Sequence, residues 1–169
     1  MTAREWRQIE PEKRQIVERH MSEIPVRLGV MARELGLKVK LSTMKPGESG
    51  QIRREPDGTY VIKVNRHETR ERQRFTLAHE IAHFLLHRSE IDRQKEGIVD
   101  NVLYRSGASE VKEYEANRLA ADLIMPYDAV REQLEGLGAP ASDEIIDQLA
   151  EIFQVSRAAM EVRLSLVPA

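Results

Sequence analysis

No cysteine occurs among the 169 residues. No disulfide can brace the fold, and no thiolate can ligate a metal or attack a substrate. A reducing compartment is consistent with that absence. Excess charge of either sign is also lacking: 26 Lys and Arg face 28 Asp and Glu, a net charge of -2. The whole molecule therefore has no strong pull on nucleic acid or on a membrane. No apolar run approaches the roughly 18 residues that a transmembrane helix needs. The opening "MTAREWRQIEPEKRQ" is too charged for the apolar core of a secretory signal. These absences predict a soluble, cytoplasmic protein that uses no membrane, and they set no oligomeric state. Apolar residues make up 41% and charged residues 32%, ordinary for a globular chain. The length predicts one domain over residues 1–169. Internal repeats, low-complexity tracts and long linkers are missing too.

What is present divides into helical and extended stretches. Trp6, Ile9, Ile16 and Val17 among charges predict an amphipathic helix over 5–20, interrupted or started at Pro11. A second helix begins near Pro25, with Val26, Val30, Met31 and Leu35 as its packed face and Gly36 as its stop. Period two then takes over. "KVKLSTM" places Val39 and Leu41 on one face, and "SGQIRREPDGTYVIKVN" reads as two strands joined at Pro56-Asp57-Gly58. The expected fold is α+β: a small, three-stranded, mainly antiparallel sheet that leans on helices to bury its apolar face. "ETRERQRFTLAHEIAHFLLH" predicts a long helix, charged in its first half and apolar nearly all round in its second. Residues 88–108 are weakly patterned. Helices follow at "SEVKEYEANRLAADLIMP", started by Ser109, at "YDAVREQLEGLG", and as a pair in 141–169 broken near Val155-Ser156.

The polar exceptions on the long helix are His79, Glu80, His83 and His87. Burying such groups is costly without a partner or a task. His79 and His83 stand four apart and share a helix face, so both rings can reach one metal ion. Glu80 is offset from His79 by about 100°, better placed to hold a water beside the metal than to ligate it. Two ligands and one general base are what the H-E-x-x-H pattern supplies.

A catalytic zinc site takes three protein ligands and keeps one position open. His87 lies about 12 Å further along the helix than His79 and cannot readily close the same tetrahedron. The extended pattern H-E-x-x-H-x-x-G-x-x-H is absent, because Leu86 and Ser89 occupy its last two fixed places. A ligand from the helix after Ser109 is expected instead. Glu113 and Asn117 share one face there, flanked by Ala116 and Ala120, which let two helices approach closely. Glu115 faces elsewhere. Glu113 is the candidate third ligand, and Asn117 the group that holds a ligand histidine by a hydrogen bond. Tyr104 and His87 are candidate oxyanion donors. The donor set suits Zn2+, while Mn2+, cobalt or iron would also be accepted.

"RFTLAHEIAHFLLH", "EYEANRLAADLIMP" and the terminal "LAEIFQVSRAAMEVRL", in that order and after "YVIKVNRHETRERQ", resemble the ImmA/IrrE family of small zinc-peptidase-like proteins. The resemblance covers residues 25–165 and implies a zincin-like helical core. It implies His79, His83 and Glu113 as zinc ligands and Glu80 as catalytic base, similar to other peptidases with two histidines and one glutamate on zinc. It further implies a protein substrate, a DNA-binding helix-turn-helix repressor, and a place in stress-response or mobile-element regulation.

Two other readings compete. The terminal pair 141–169 has helix-turn-helix-like spacing, which would suit a regulator. It carries five acids (Asp143, Glu144, Asp147, Glu151, Glu161) against Arg157 and Arg163 alone, the wrong balance for backbone phosphates. Direct DNA binding is therefore not expected, and packing on the peptidase core is. "RHETRERQR" mixes four arginines with Glu68 and Glu71 and reads as a solvated helix face. The second reading is a metal-dependent binding or regulatory protein with little peptidase activity. An intact Glu80 argues against it, since a purely structural zinc site needs no base.

Overall fold

The computed structural model describes residues 4–101, 109–138 and 140–167. A short 3-10 turn (Arg4–Gln8) precedes α1 (Pro11–Met21), which starts with proline in its first turn, where the missing N–H costs nothing. Helix α2 (Leu28–Glu34) follows, and then β1 (Lys38–Ser42), β2 (Glu48–Arg54) and β3 (Tyr60–Asn65). The long helix α3 (Arg70–Leu86) begins at Thr69, whose side chain accepts from the Arg72 amide at 3.2 Å. After it come α4 (Arg88–Arg93), β4 (Ile98–Asn101), α5 (Glu110–Ile124), α6 (Tyr127–Gly136), α7 (Asp143–Phe153) and α8 (Arg157–Leu166). Ser109, Ser142 and Ser156 cap α5, α7 and α8 in the same way as Thr69.

The sheet has four strands, not three, in the order β1-β3-β2-β4. β2 pairs antiparallel with β3 (Ile52 opposite Ile62) and with β4 (Gln51 opposite Val99), while β1 runs parallel to β3 (Val39 opposite Ile62). The missed strand is "IVDN", four residues of which only Ile98 is buried, too short for alternation to show. Its entry depends on Gly97, at φ +65°, where a Cβ would lie 1.9 Å from the Ile52 carbonyl oxygen. Only glycine lets the chain pass there.

One face of the sheet packs on α3, and α5 lies along α3 on the other side. Ile52, Ile62 and Val64 from the strands meet Ala78, Ile81 and Ala82 of α3 and Leu119, Ala120 and Leu123 of α5 in one continuous apolar cluster. Each fully buried large apolar side chain of this kind contributes about 1.5–3 kcal/mol. One expectation about a face fails. On α2 the buried stripe is Leu28, Met31, Ala32 and Leu35, and Val30 turns to solvent. Val39 and Leu41 share a face of β1, an edge strand, and both are exposed.

The charged start of α3 is not wholly a solvated face. Arg74 is half-buried and donates to the carbonyls of Gln154 (3.2 Å) and Val26 (3.1 Å), tying α3 to the α7–α8 turn and to the segment before α2. Burial lowers its pKa from the ordinary arginine value.

Candidate metal centre

α3 sets His79, Glu80 and His83 in the interior at its contact with α5, where Ala116 and Ala120 are fully buried and keep the two helices close. Glu113, in the first turn of α5, reaches both histidines. Its Oε2 lies 3.1 Å from His79 Nε2 and its Oε1 lies 3.1 Å from His83 Nε2. The two Nε2 atoms are themselves 3.1 Å apart. A tetrahedral ion with bonds of about 2.0–2.1 Å spaces its donors about 3.3 Å apart, so the three groups fit one small cation.

The outer nitrogens support the same conclusion. His79 Nδ1 is 2.9 Å from Asn117 Oδ1, an acceptor only, so the ring donates there and turns its Nε2 lone pair toward Glu113. His83 Nδ1 is 2.9 Å from His87 Nδ1. Burial, then the neighbouring His83, push His87 down to about 4, so at neutral pH it is uncharged and can accept from His83. Both Nε2 lone pairs then face a carboxylate. Three acceptors at such distances repel unless a cation or protons lie among them.

Charge follows position. Burial lowers the His83 pKa, although Glu113 opposes it. Burial would raise the Glu113 carboxyl, but where protons rather than a cation lie among the three groups, His79 and His83 donate to it and hold it well below the usual carboxylate range. Glu80 is the opposite case. It is wholly buried, and neither carboxylate oxygen has a hydrogen-bond partner among the described residues. Burial first, then the Asp100 and Glu113 carboxylates, raise its pKa well above the ordinary value. Such a group holds a proton more readily than an ordinary carboxylate.

The structure thus brings together His79, Glu80, His83, Glu113 and Asn117. It places His87 behind His83, on the ring edge away from Glu113, which does not suit the expected part of oxyanion donor. Tyr104 lies outside the described residues. One participant, and one contact of a residue already named, escaped the sequence. Asp100 of β4 comes within 4.8 Å of donor atoms of His79 and Glu80, yet nothing in the weakly patterned 88–108 stretch marks it. Glu115, which does face away from the three donors, stands 3.7 Å from His87 Nε2. The spacing of Glu115 on the same helix as Glu113 was its only available signal.

No match is found among curated proteins. Among solved structures, a Mycobacterium tuberculosis transcriptional regulator aligns with TM-score 0.56 at 21% identity, over 93% of this chain and 48% of that one. The chain thus spans about half the length of that protein, and the likeness is one of fold. At the level of sequence families, residues 26–165 match the IrrE N-terminal-like domain of the Peptidase M78 family, and the chain belongs to that family.

Proposed function

We propose that this protein is a zinc-dependent endopeptidase of the two-histidine, one-glutamate kind, built on a zincin-like core and acting in the cytoplasm on a helix-turn-helix repressor. The observation that carries the reading is Glu80: a wholly buried carboxylate, without hydrogen-bond partners among the described residues, beside three convergent donors. A purely structural metal site gives no reason to bury it.

His79, His83 and Glu113 would hold the ion. When bound, zinc supplies Lewis acidity, which acidifies water and polarises a carbonyl oxygen. Glu80 takes the proton from the attacking water and returns it to the leaving amine, and its raised pKa lets it keep that proton in between. Asn117 and His87 fix the two rings, so the donors are in place before substrate arrives. The substrate backbone extends the sheet at β4, the edge strand that carries Asp100 to the centre.

Support for a repressor as substrate comes from the family resemblance. Direct DNA binding by the α7–α8 pair is not favoured, since Arg157 is engaged by Asp143 (2.7 Å), Asp147 (2.7 Å) and Glu161 (2.9 Å). One observation favours the second reading, a metal-dependent regulatory protein with little turnover: Glu80 and His83 are both wholly enclosed. The two readings separate on one assay. Intact protein and Glu80→Gln, both zinc-loaded, are incubated with a repressor encoded beside the gene, and fragments are identified by mass spectrometry. Cleavage by the intact protein alone supports the peptidase. Cleavage by neither supports the regulatory reading, and equal cleavage by both identifies a contaminating protease.

A further inference from the structure

Asp100 is an acid at the metal centre that neither the three metal donors nor the proton transfer uses. The sheet sets its place. It stands opposite Gly50, and directly opposed residues of two strands share a face. A Cβ on Gly50 would point at Thr76 Cγ2 and Glu80 Oε1, so this face is the one turned to α3. An Asp100 oxygen lies within 4.8 Å of a ring nitrogen of His79 and of a Glu80 oxygen. Glu80 is wholly enclosed, with no hydrogen-bond partner among the described residues. Asp100 lies on the outermost strand and is partly exposed, and its carboxylate is not sealed from solvent as that of Glu80 is.

Two carboxylates this close repel unless a cation or a proton comes to them. The metal position does not supply enough charge. Imidazole ligands are bound uncharged, and Glu80 is ionised before it takes a proton. A divalent ion then offsets two of Glu80, Asp100 and Glu113 and leaves one negative charge over. A second metal ion does not fit the excess, because His79 has no spare nitrogen: Nδ1 meets Asn117 and Nε2 meets Glu113. We infer that Asp100 recognises a cationic side chain, lysine or arginine, of the substrate segment bound at this site. The inference rests on the proposal that a protein segment extends the sheet at β4, and it names the chemistry of that segment. Side chains of an added strand alternate between faces, and the one beside Asp100 turns toward α3 with it. Its ammonium or guanidinium reaches the carboxylate from the open edge, while the enclosed Glu80 stays free for the water proton.

The test uses hydroxamates, which chelate zinc and are not cleaved. The zinc-loaded full chain is titrated by calorimetry with the Nα-acetyl hydroxamates of lysine, norleucine and glutamate. The lysine compound is expected to bind about tenfold or more tighter than the norleucine compound, the worth of a charge-assisted hydrogen bond, and the glutamate compound to bind weakest. Asp100→Asn, checked to carry its zinc, should narrow the lysine preference to about twofold or less. Asp100→Lys should reverse the order in favour of glutamate. Equal affinity for lysine and norleucine, or a lysine preference that survives Asp100→Asn, would overturn the inference. Norleucine hydroxamate with a free α-amine separates the two sources of positive charge. If the free amine binds tighter than its acetylated form, and Asp100→Asn abolishes the difference, Asp100 serves a substrate N-terminus and the side-chain assignment is overturned. Failure of every hydroxamate to bind would overturn the metal centre and this inference together. No bond is cleaved in the experiment, so a lysine preference in a protein that hydrolyses nothing refutes only the peptidase reading.

Discussion

Asn117 Oδ1 lies 2.9 Å from His79 Nδ1, a contact across the α3–α5 interface that fixes which nitrogen of His79 faces Glu113. Asn117→Ala removes the acceptor, frees the ring to rotate and lets either tautomer form. Zinc affinity should fall about 10–100-fold, the usual effect of losing such a partner. Asn117→Asp keeps the oxygen and should retain most of the affinity. Competition titration against a chelator measures both. Equal losses in the two variants would show that Asn117 acts through helix packing rather than through its oxygen.

Gly50 sits on β2 where the sheet meets α3. A Cβ there would lie 2.5 Å from Thr76 Cγ2, 3.1 Å from the Lys63 carbonyl oxygen and 3.3 Å from Glu80 Oε1. Gly50→Ala should therefore cost about 1–3 kcal/mol by overpacking. Thr76→Ala removes the nearest obstacle, and its hydroxyl has no partner among the described residues, so no hydrogen bond is lost with it. The double variant should be more stable than the sum of the single changes allows. Denaturant melts of the four proteins decide it, and strict additivity would contradict the proposed close approach.

Glu80 makes a prediction about pH. In metal-free protein its folded pKa stands well above the ordinary value of 4.5. As pH rises past that ordinary value, the unfolded chain ionises Glu80 while the folded chain retains the proton, so wild-type stability falls. Glu80→Gln does not ionise. The variant should be more stable than wild type at pH 7, and the gap should close as pH drops toward 4. Thermal melts of metal-free samples across that range test the sign. A variant less stable at neutral pH would mean that the carboxylate has a favourable partner in the fold.

The long-range helices were legible because their signals are local. Ser109 marks where α5 begins, and the return of helical period marks α3, whose cap the structure places at Thr69. The pairing of His79 and His83 needs only helical spacing. Glu113 needed a further step, since the sequence cannot state which face of α5 meets α3, but the alanines at 116 and 120 supplied it. β4 was illegible because four residues held beside β2 by a glycine carry no period. Asp100 was lost with it. Val30 misled for a different reason: it sits in the right rhythm, but on the exposed side of α2. His87 was recognised as unable to ligate, yet its actual place, against His83 Nδ1, depends on the last turn of α3 and on burial that periodicity does not report.

The central claim is that His79, His83 and Glu113 hold one divalent ion beside Glu80. Its most direct test is metal stoichiometry by mass spectrometry on zinc-supplemented, desalted protein, for wild type, Glu80→Gln, His83→Ala and Glu113→Ala, each checked for folding by circular dichroism. The account predicts one zinc per chain in wild type and in Glu80→Gln, and its loss in the folded His83 and Glu113 variants. Zinc absent from wild type, or retained after Glu113→Ala at undiminished affinity, would contradict it.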